Sequence, residues 1–580
     1  MATQSTGVFD AARSMLDRAP IGGVLQNILL PGELERAWLK AARAADGASV
    51  FSSFLDTMLV RYECAEQDLA RIPAHGPVVV VANHPFGLIE GAIAGALVAR
   101  ARTDFKLLAN SLLADIPTLK DYVIPVDPFG GAAKANWKSL RASLEWLRKG
   151  GVLVTFPAGE VSSLKLPKFE IADPEWNENI ARMIQISRAA SVPVYFHGAN
   201  GAGFQVAGLI HPSLRTALLP IELLNKRGRT IHVSLGRPIA AERVAKLRER
   251  EATDYLWNRT YLLQARGKAR RPLFRSEPRR APVASPAEPD LLRAEAEKIE
   301  PLLACGDLSV RVADAGSIPN TLREIGRLRE ISFRAAGEGT GRSLDLDRFD
   351  RHYLHLWIWN AKTNEVAGAY RLAGTDTVTS DRDLYTSTLF RFRPGLLESM
   401  HPALELGRSF VVPGYQRSYT ALLLLWKGIG GYVARNPRYR VLFGPVSISR
   451  DYNPASRAVM VSYLKSRCGN SELAGLVKPK RRFRSRRLRA CDLQLLGSLL
   501  ANVDELAEVV ADIEPDGKGI PVLLRQYLNI GGEILAFNVD ADFSDVLDGL
   551  VVVDLAKMNR TLLEKYLGKT GAAGFVAFHG

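Results

Sequence analysis

Nine residues, Asn83-His84-Pro85-Phe86-Gly87-Leu88-Ile89-Glu90-Gly91, set an imidazole and a carboxylate on either side of a short turn, directly after the apolar run Pro77-Val78-Val79-Val80-Val81. A histidine at the end of a buried strand, with an acid on the first turn of the next helix, forms a base and its orienter aimed into one cleft. The imidazole of such a pair takes the proton from a hydroxyl nucleophile, while the carboxylate fixes the tautomer and stabilises the imidazolium that results. That is acyl-transfer chemistry. Gly, Pro and an acid ahead of a helix are also ordinary punctuation, so the same residues read as a His-Pro turn leading into a capped helix.

The elements that would position the pair follow in order. An amphipathic helix spans Trp137 to Arg148 and breaks at Gly150-Gly151; Val154-Thr155-Phe156-Pro157-Ala158-Gly159-Glu160 and Val192-Pro193-Val194-Tyr195-Phe196 come next. In this arrangement the chain resembles the glycerolipid acyltransferase family, whose members acylate lysophosphatidic acid and carry four sequence blocks. His84 stands at the histidine of block one, Ile124-Pro125-Val126 at the strand of block two, Phe156-Pro157-Ala158-Gly159 at the Phe-Pro-Glu-Gly of block three, and Val192-Pro193-Val194 at the Val-Pro-Val of block four. The resemblance implies an αβ O-acyltransferase fold, His84 and Glu90 as the catalytic pair, and Asn83, Phe156, Pro157 and Gly159 beside the substrate. Three positions depart from the family. Its acid is usually an Asp four residues beyond the histidine, whereas five residues separate His84 from Glu90, a spacing similar to that of a hemolysin-like branch. Asp127 stands near the place of the block-two arginine, and Ala158 replaces the block-three glutamate. The last two departures argue against a phosphate-bearing acceptor.

At 580 residues the chain is about twice the length of a large single-core domain, and 47% apolar residues suffice for two cores. The expected fold class is α/β in two domains: an O-acyltransferase domain over 1–265, an exposed linker rich in Arg, Pro, Ala and Ser over 266–290, and a second αβ domain over 291–580. No run of about 18 uncharged apolar residues is present, and the amino terminus lacks a signal-peptide succession and a myristoylation glycine, so a cytoplasmic location is expected. Apolar-periodic stretches between residues 8 and 70, among them Val50-Phe51-x-x-Phe54-Leu55-x-x-Met58-Leu59, are expected to pack as helices on the domain rather than on a bilayer. Four scattered cysteines, Cys64, Cys305, Cys468 and Cys491, fit reduced thiols, and nothing suggests a metal site. The net charge is +15, and the run Lys478 to Arg489 holds eight basic side chains with no acid. Such a strip suits an anionic lipid surface or the acidic acyl carrier protein, or is simply solvated; no nucleic-acid recognition motif accompanies it.

The second half mixes strands and helices. Thr321 to Ile331 is helical and precedes a loop with Gly337, Gly339 and Gly341; Val366–Leu372, Leu404–Val412 and Val441–Ser449 are strands, and a helix over Tyr419–Val433 joins the last two. Strand, helix, strand at this spacing is the core of a GNAT-type N-acyltransferase, in which adjacent strands splay apart to admit a thioester. Arg329-x-x-x-Phe333, Asp347-x-x-Asp350, Gly368-x-Tyr370-Arg371-Leu372 and Glu405-Leu406-Gly407-Arg408-Ser409 fall in the order seen in acyl-homoserine lactone synthases. They are more similar still to the N-acyltransferases that make lyso-ornithine lipid. The resemblance implies that Glu405 accepts the amine proton directly or through a water, that Arg371 and Arg408 bind the amino acid carboxylate or order the loop bearing Asp347 and Asp350, and that Arg329 and Phe333 lie at the substrate. On residue types alone, Arg371, Glu405 and Arg408 also read as buried ion pairs that hold a sheet together. Gln416-Arg417-Ser418-Tyr419-Thr420-Ala421 lacks the glycines of a coenzyme A pyrophosphate cradle, which favours acyl groups carried on acyl carrier protein and no bound cofactor.

From about residue 60 onward the chain resembles the family of bifunctional ornithine lipid synthases. This implies N-acylation of ornithine with a 3-hydroxyacyl group by the C-terminal domain, then O-acylation of that 3-hydroxyl by the N-terminal domain. The partners expected are acyl carrier protein, ornithine, lyso-ornithine lipid and, peripherally, the anionic inner face of the cell membrane; nucleic acid is not expected. Asp347, Asp350 and Glu398 are the candidates for holding the side-chain ammonium of ornithine. The alternatives are glycine or another amino acid, lysophosphatidic acid at the first site, and a non-catalytic protein that binds membrane or carrier protein.

Overall fold

The computed structural model describes residues 40, 47, 49–114, 118–126, 133–166, 168–268, 281–417, 419–469, 471–485, 488–541 and 543–580. Asp127 lies outside them. The chain forms two compact α/β units: one comprises Met1–Ala269, Arg487–Leu499 and Glu508–Gly517, the other Arg270–Arg486, Leu500–Ala507 and Lys518–Gly580.

The first unit is built on seven strands: β1 (Arg61–Glu63), β2 (Val78–Ala82), β3 (Phe105–Asn110), β4 (Val123–Val126), β5 (Val152–Thr155), β8 (Ala190–Phe196) and β9 (Thr230–Leu235), in the order β1-β9-β8-β2-β5-β3-β4. A small hairpin, β6 (Ser163–Lys165) with β7 (Glu170–Ala172), stands apart from this sheet. Every neighbouring pair is parallel except β8 with β9. Parallel strands are covered on both faces, which is why all five residues of the Val-rich β2 are buried. Helix α1 (Ser49–Thr57) lays Phe51 on α2 (Ile89–Ala99) at Gly95, where an added Cβ would sit 2.7 Å from the Phe51 ring. Val50, Phe51, Phe54, Leu55 and Met58 are spent on packing, as expected, whereas Leu59 is exposed. Helices α3 (Ala133–Arg148), α4 (Ala202–Ile210) and α5 (Pro212–Leu224) follow along the chain.

The second unit holds β10 (Leu303–Cys305), β11 (Leu308–Asp314), β12 (Leu354–Asn360), β13 (Glu365–Gly374), β15 (Ala403–Val411), β16 (Val441–Ile448), β19 (Val546–Asp554) and β18 (Glu533–Asp540), in that spatial order. Helix α6 (Pro319–Ala335) precedes β12, and α7 (Tyr419–Arg435) connects β15 to β16. Only β15 and β16 run parallel, and they pair solely through Ala403–Glu405 against Val441–Phe443. Beyond that point β15 continues to Val411 against β13 and β16 to Ile448 against β19, so the two strands part. Gly444 sits at the fork: a Cβ there would lie 2.0 Å from the Leu406 carbonyl oxygen. The splay expected of this strand-helix-strand core is present.

One expectation is corrected. The 266–290 stretch is not simply an exposed linker: Arg266 is ion-paired to the buried Asp68, Ala281 N and Ala284 N donate to the carbonyls of Gly341 and Ser343, and a helix begins at Pro289. Residues 269–280 are outside the described set. The basic run is mostly exposed where described and is anchored at its start. Val477–Pro479 forms a strand, β17, against β14 (Phe390–Phe392), Arg481 N donates to Asn538 Oδ1 at 2.8 Å, and the Arg481 guanidinium meets Asp545 at 3.2 Å. The four cysteines are free, and among the described residues no helix is long and apolar enough to cross a membrane.

The late segments are bound into the first unit by charge. Asp512 Oδ2 accepts from Arg259 Nη2 at 3.0 Å, with the Arg259 side chain 2% exposed, and its Oδ1 accepts from Arg237 N at 2.9 Å and Arg71 Nη1 at 3.3 Å. Removing one member of a buried pair leaves an uncompensated charge. Asp512→Ala is therefore expected to destabilise the first unit by about 3–5 kcal/mol. Hydrogen-exchange protection of Val78–Ala82, followed with urea in the full chain, measures this; unchanged protection would contradict it.

Candidate active sites

The first site sits at the carboxyl end of β2, where ligands bind in open α/β sheets. Asn83 locks that end to β8: its Nδ2 donates to Phe196 O at 3.1 Å and its Oδ1 accepts from Phe196 N at 2.7 Å. Both ends of the amide are thus committed to backbone, which makes Asn83 a fastener rather than a substrate ligand. The chain then turns through Gly87, whose φ of +111° favours a residue without a Cβ. Glu90, on the first turn of α2 and fully buried, takes Oε1 back to Phe86 N at 2.8 Å and Gly87 N at 2.7 Å. The same oxygen lies 2.8 Å from His84 Nδ1. The expected base and orienter are in contact, with the His84 side chain 17% exposed and Glu90 sealed behind it.

Burial opposes charge on the His84 imidazole, but the Glu90 carboxylate and its hydrogen bond outweigh it and hold the His84 pKa above its ordinary value. Burial likewise opposes the Glu90 carboxylate, and the neighbouring imidazole with the Gly87 and Phe86 N–H groups overcomes it, leaving the Glu90 pKa depressed. Phe156 stacks on His84 with centroids 4.7 Å apart and planes at 29°. Pro157 is buried, its carbonyl accepting from Asn177 N at 3.0 Å, and Gly159, with φ of +66°, closes a turn onto Phe156 O at 3.0 Å. These three shape the wall beside the imidazole.

Sequence reasoning missed the support beneath it. Buried Asp173 accepts from the His84 backbone N at 3.1 Å, from Ser162 Oγ and from Trp176 Nε1 at 3.0 Å, while its own N donates to Tyr261 OH at 2.9 Å. Burial raises the Asp173 pKa despite those donors. Only an Asp-Pro pair marked the position, and Asp-Pro is a common turn signal. An open hollow of about 530 Å³, lined by Ala74, His75, Arg102 and Asp104 among others, lies at the opposite ends of these strands and touches none of this chemistry.

The second site surrounds the fork of β15 and β16. Glu405 is the last residue of β15 paired with β16 and is 1% exposed. Its Oε2 accepts from Tyr353 OH and from Tyr385 N at 3.1 Å, and its Oε1 from Thr386 N at 2.7 Å. Glu405 thus anchors the 385–388 turn through three donors, which fill three of the roughly four acceptor sites of a carboxylate. Arg371, fully buried, meets Asp347 at 2.7 Å and Asp350 at 3.2 Å, and Arg329 meets Asp350 at 3.1 Å. Burial resists charge on Asp350, but the two guanidiniums hold its pKa well below the usual carboxylate range. Arg371 and Arg329 thus order the Asp347–Asp350 loop. Asp347 and Asp350 are spent on those arginines, and Glu398 is an exposed cap on Gly395 N, so none of the three is a free ammonium partner.

Arg408 is different. Its φ of +48° turns the side chain out of the β15 register; it lies 5.0 Å over Tyr385 and 4.7 Å over Phe543, whose ring meets Phe333 at 5.1 Å. Its carboxylate contacts are long, 3.7 Å to both Asp345 and Asp347. Across the fork on β16, Ser447 donates to Asp548 Oδ1 at 2.7 Å. Burial, then repulsion from Asp540, pushes the Asp548 pKa up to about 7; burial, then Asp548 and Asp451, pushes Glu338 of the glycine loop up to about 7. A cation on one wall and two carboxyl groups near neutrality on the other were not legible from spacing.

Charge fixes the pH behaviour of the first site. The raised His84 pKa means that pairing contributes stability fully below the ordinary imidazole value and loses it as pH rises through the folded value. The depressed Glu90 pKa means that its contribution is lost as pH falls through that lower value. The ion pair spans the window between them, and free base appears only above the raised His84 pKa. Glu90→Gln is expected to move the acidic limb of acyl transfer to lower pH and to reduce the rate by about 10²–10⁴-fold. A pH–rate profile tests this, and an unmoved limb would count against the pair.

Residues 48–269 match the family model described as acyltransferase, and residues 328–427 match that of the acetyltransferase (GNAT) domain. The chain is 31% identical over 294 residues to a glycine N(alpha)-acyltransferase of Bacteroides thetaiotaomicron, covering 47% of this chain and 86% of that protein. It is 30% identical over 251 residues to a glycine N(alpha)-acyltransferase of Phocaeicola vulgatus, covering 39% of this chain and 74% of that protein. The likeness to the crystal structure of the 1-acyl-sn-glycerophosphate acyltransferase PlsC from Thermotoga maritima, at 16% identity and a TM-score of 0.24 over 38% of this chain and 74% of that one, is too slight to bear on either site. The chain is an acyltransferase and belongs to the family of these N-acyltransferases, with an acyltransferase domain preceding a GNAT domain.

Proposed function

We propose that the chain makes a diacylated aminolipid in two steps, with ornithine as the amino acid. In the first step the α-amine of ornithine attacks the thioester of a 3-hydroxyacyl group held on acyl carrier protein. The amide bond forms, the thioester bond breaks, and the carrier thiol leaves with a proton. In the second step the 3-hydroxyl of that chain attacks another acyl thioester, and the ester bond forms as the second thiol leaves.

The observation that carries the amino acid step is the fork of β15 and β16. Arg408 on one wall suits the α-carboxylate, and Glu338 and Asp548 on the other suit an ammonium. Two carboxyl groups of near-neutral pKa also suit removal of the proton that an α-ammonium must lose before it attacks. A second positive charge on the substrate favours ornithine over glycine. The glycine reading keeps one specific support, the name of the two relatives.

In the second step His84 takes the hydroxyl proton through Nε2 while Glu90 holds Nδ1 and balances the imidazolium. The protonated His84 then returns the proton to the leaving thiolate. The acceptor carries no phosphate, which accords with the missing block-two arginine. The protein would work from the cytoplasmic face of the cell membrane, where such an acceptor resides.

Mass spectrometry of lipid extracts tests both steps in a host without aminolipids. Diacylated ornithine is expected from the intact chain and only the mono-acylated lyso-lipid from His84→Ala. Diacylated glycine instead would overturn the ornithine assignment, and no aminolipid from either would overturn the scheme. The headgroup determinant has its own outcome: Glu338→Gln/Asp548→Asn is expected to lower ornithine use at least about tenfold relative to glycine, on the order of 1.4 kcal/mol of discrimination. Equal losses for both amino acids in kcat/KM would remove these acids from ammonium recognition.

A further inference from the structure

Helix α4 breaks the rule that a solvent-facing helix presents polar residues. It buries Phe204 and Gln205, yet Val206, Leu209 and Ile210, spaced i, i+3 and i+4 on its other face, are 56%, 48% and 74% exposed. No charged residue interrupts the helix from Ala202 to Ile210. Gln205 Oε1 accepts from Leu164 N at 2.8 Å, which ties α4 to the β6–β7 hairpin. The tip of that hairpin exposes Leu166 at 56% and Phe169 at 72%, the latter with a φ of +50° that a bulky residue rarely adopts.

The apolar residues stand among cations. Lys168 is exposed at the hairpin tip, and Lys165, partly buried, ends β6 beside the tip and opposite Glu170. Arg215 of α5, its stem against Gly208 of α4, reaches Glu160 at 3.5 Å. The same elements border the catalytic turn: a Cβ on Gly87 would lie 2.9 Å from Leu219 of α5 and 3.6 Å from Val161. The exposed apolar face thus stands on elements adjoining the turn that carries His84, with its own side chains pointing to solvent.

We infer that the exposed apolar face of α4 and the β6–β7 tip docks the first unit on an anionic lipid bilayer, presenting the His84 turn to acceptors held in that bilayer. The inference rests on the lipid-acceptor reading above. Single apolar side chains protruding from a hairpin tip and a short helix need no complementary groove in fluid lipid, while flanking lysines reach anionic headgroups. An acidic carrier protein would be met by the cations but would leave five apolar side chains without a partner.

Co-sedimentation of the full chain with vesicles of phosphatidylglycerol and phosphatidylethanolamine tests this. Phe169→Asp/Ile210→Asp alters only exposed side chains and is expected to weaken vesicle binding at least about tenfold. His84→Ala is expected to bind vesicles as the unaltered chain does, and the double variant to acylate detergent-dispersed lyso-lipid at the unaltered rate. Undiminished vesicle binding by the double variant would overturn the inference. Lost binding to immobilised acyl carrier protein, with vesicle binding intact, would overturn it in favour of the carrier. Vesicle binding that depends on Phe169 and Ile210 while no lyso-lipid is acylated would sustain the docking face and sink the acceptor reading.

Discussion

A carboxylate sealed from water calls for donors, and the turn between β2 and α2 is arranged around supplying them to one oxygen of Glu90. One oxygen gathers two backbone N–H groups from the turn and the imidazole from the end of β2. The turn cannot relax without stranding the charge, and the imidazole cannot rotate without losing its partner. The start of α2 adds a favourable field for an anion at its first turn. Tautomer and most of the basicity of His84 therefore come from Glu90, and its backbone is held from beneath by Asp173. The catalytic geometry is a by-product of the need to solvate Glu90 with protein.

The second unit meets its own demand differently. Arg371 and Arg329, both buried, are matched by Asp347 and Asp350, and the loop those acids occupy is held by the match. Glu405, at the fork, is satisfied by a tyrosine hydroxyl and two amides. Conserving charge in pairs leaves Arg408, with its long contacts, as the cation in reserve. The residues that read most strongly as catalytic hold the walls of the cleft, and less conspicuous ones face its space.

What was legible in the sequence followed distance along the chain. His84 and Glu90 lie on one strand-turn-helix, so local spacing fixed their meeting, and the fork was legible because a parallel pair needs a crossover helix such as α7. The partners of Glu405 come from Tyr353, Tyr385 and Thr386, and the support of His84 from Asp173; these are contacts that only tertiary folding creates. Charge density at Lys478–Arg489 said nothing of the short strand that Val477–Pro479 forms at its start. Glu338 and Asp548 were hidden because a carboxyl group's pKa depends on burial and neighbours, which residue type does not encode.

The segments Arg487–Leu499 and Glu508–Gly517 belong to the unit that begins the chain. On the ribosome, the strands of the sheet carrying His84 emerge first, but the unit around them cannot be finished until Asp512 has been made. At about 5–20 residues per second, the delay between Ala269 and Gly517 is on the order of ten to fifty seconds. Through that interval Arg71 and Arg259 wait without their carboxylate. Synthesis itself thus withholds the completed first unit until Gly517, and the second, which takes β18 and β19 from the residues that follow, is completed later still.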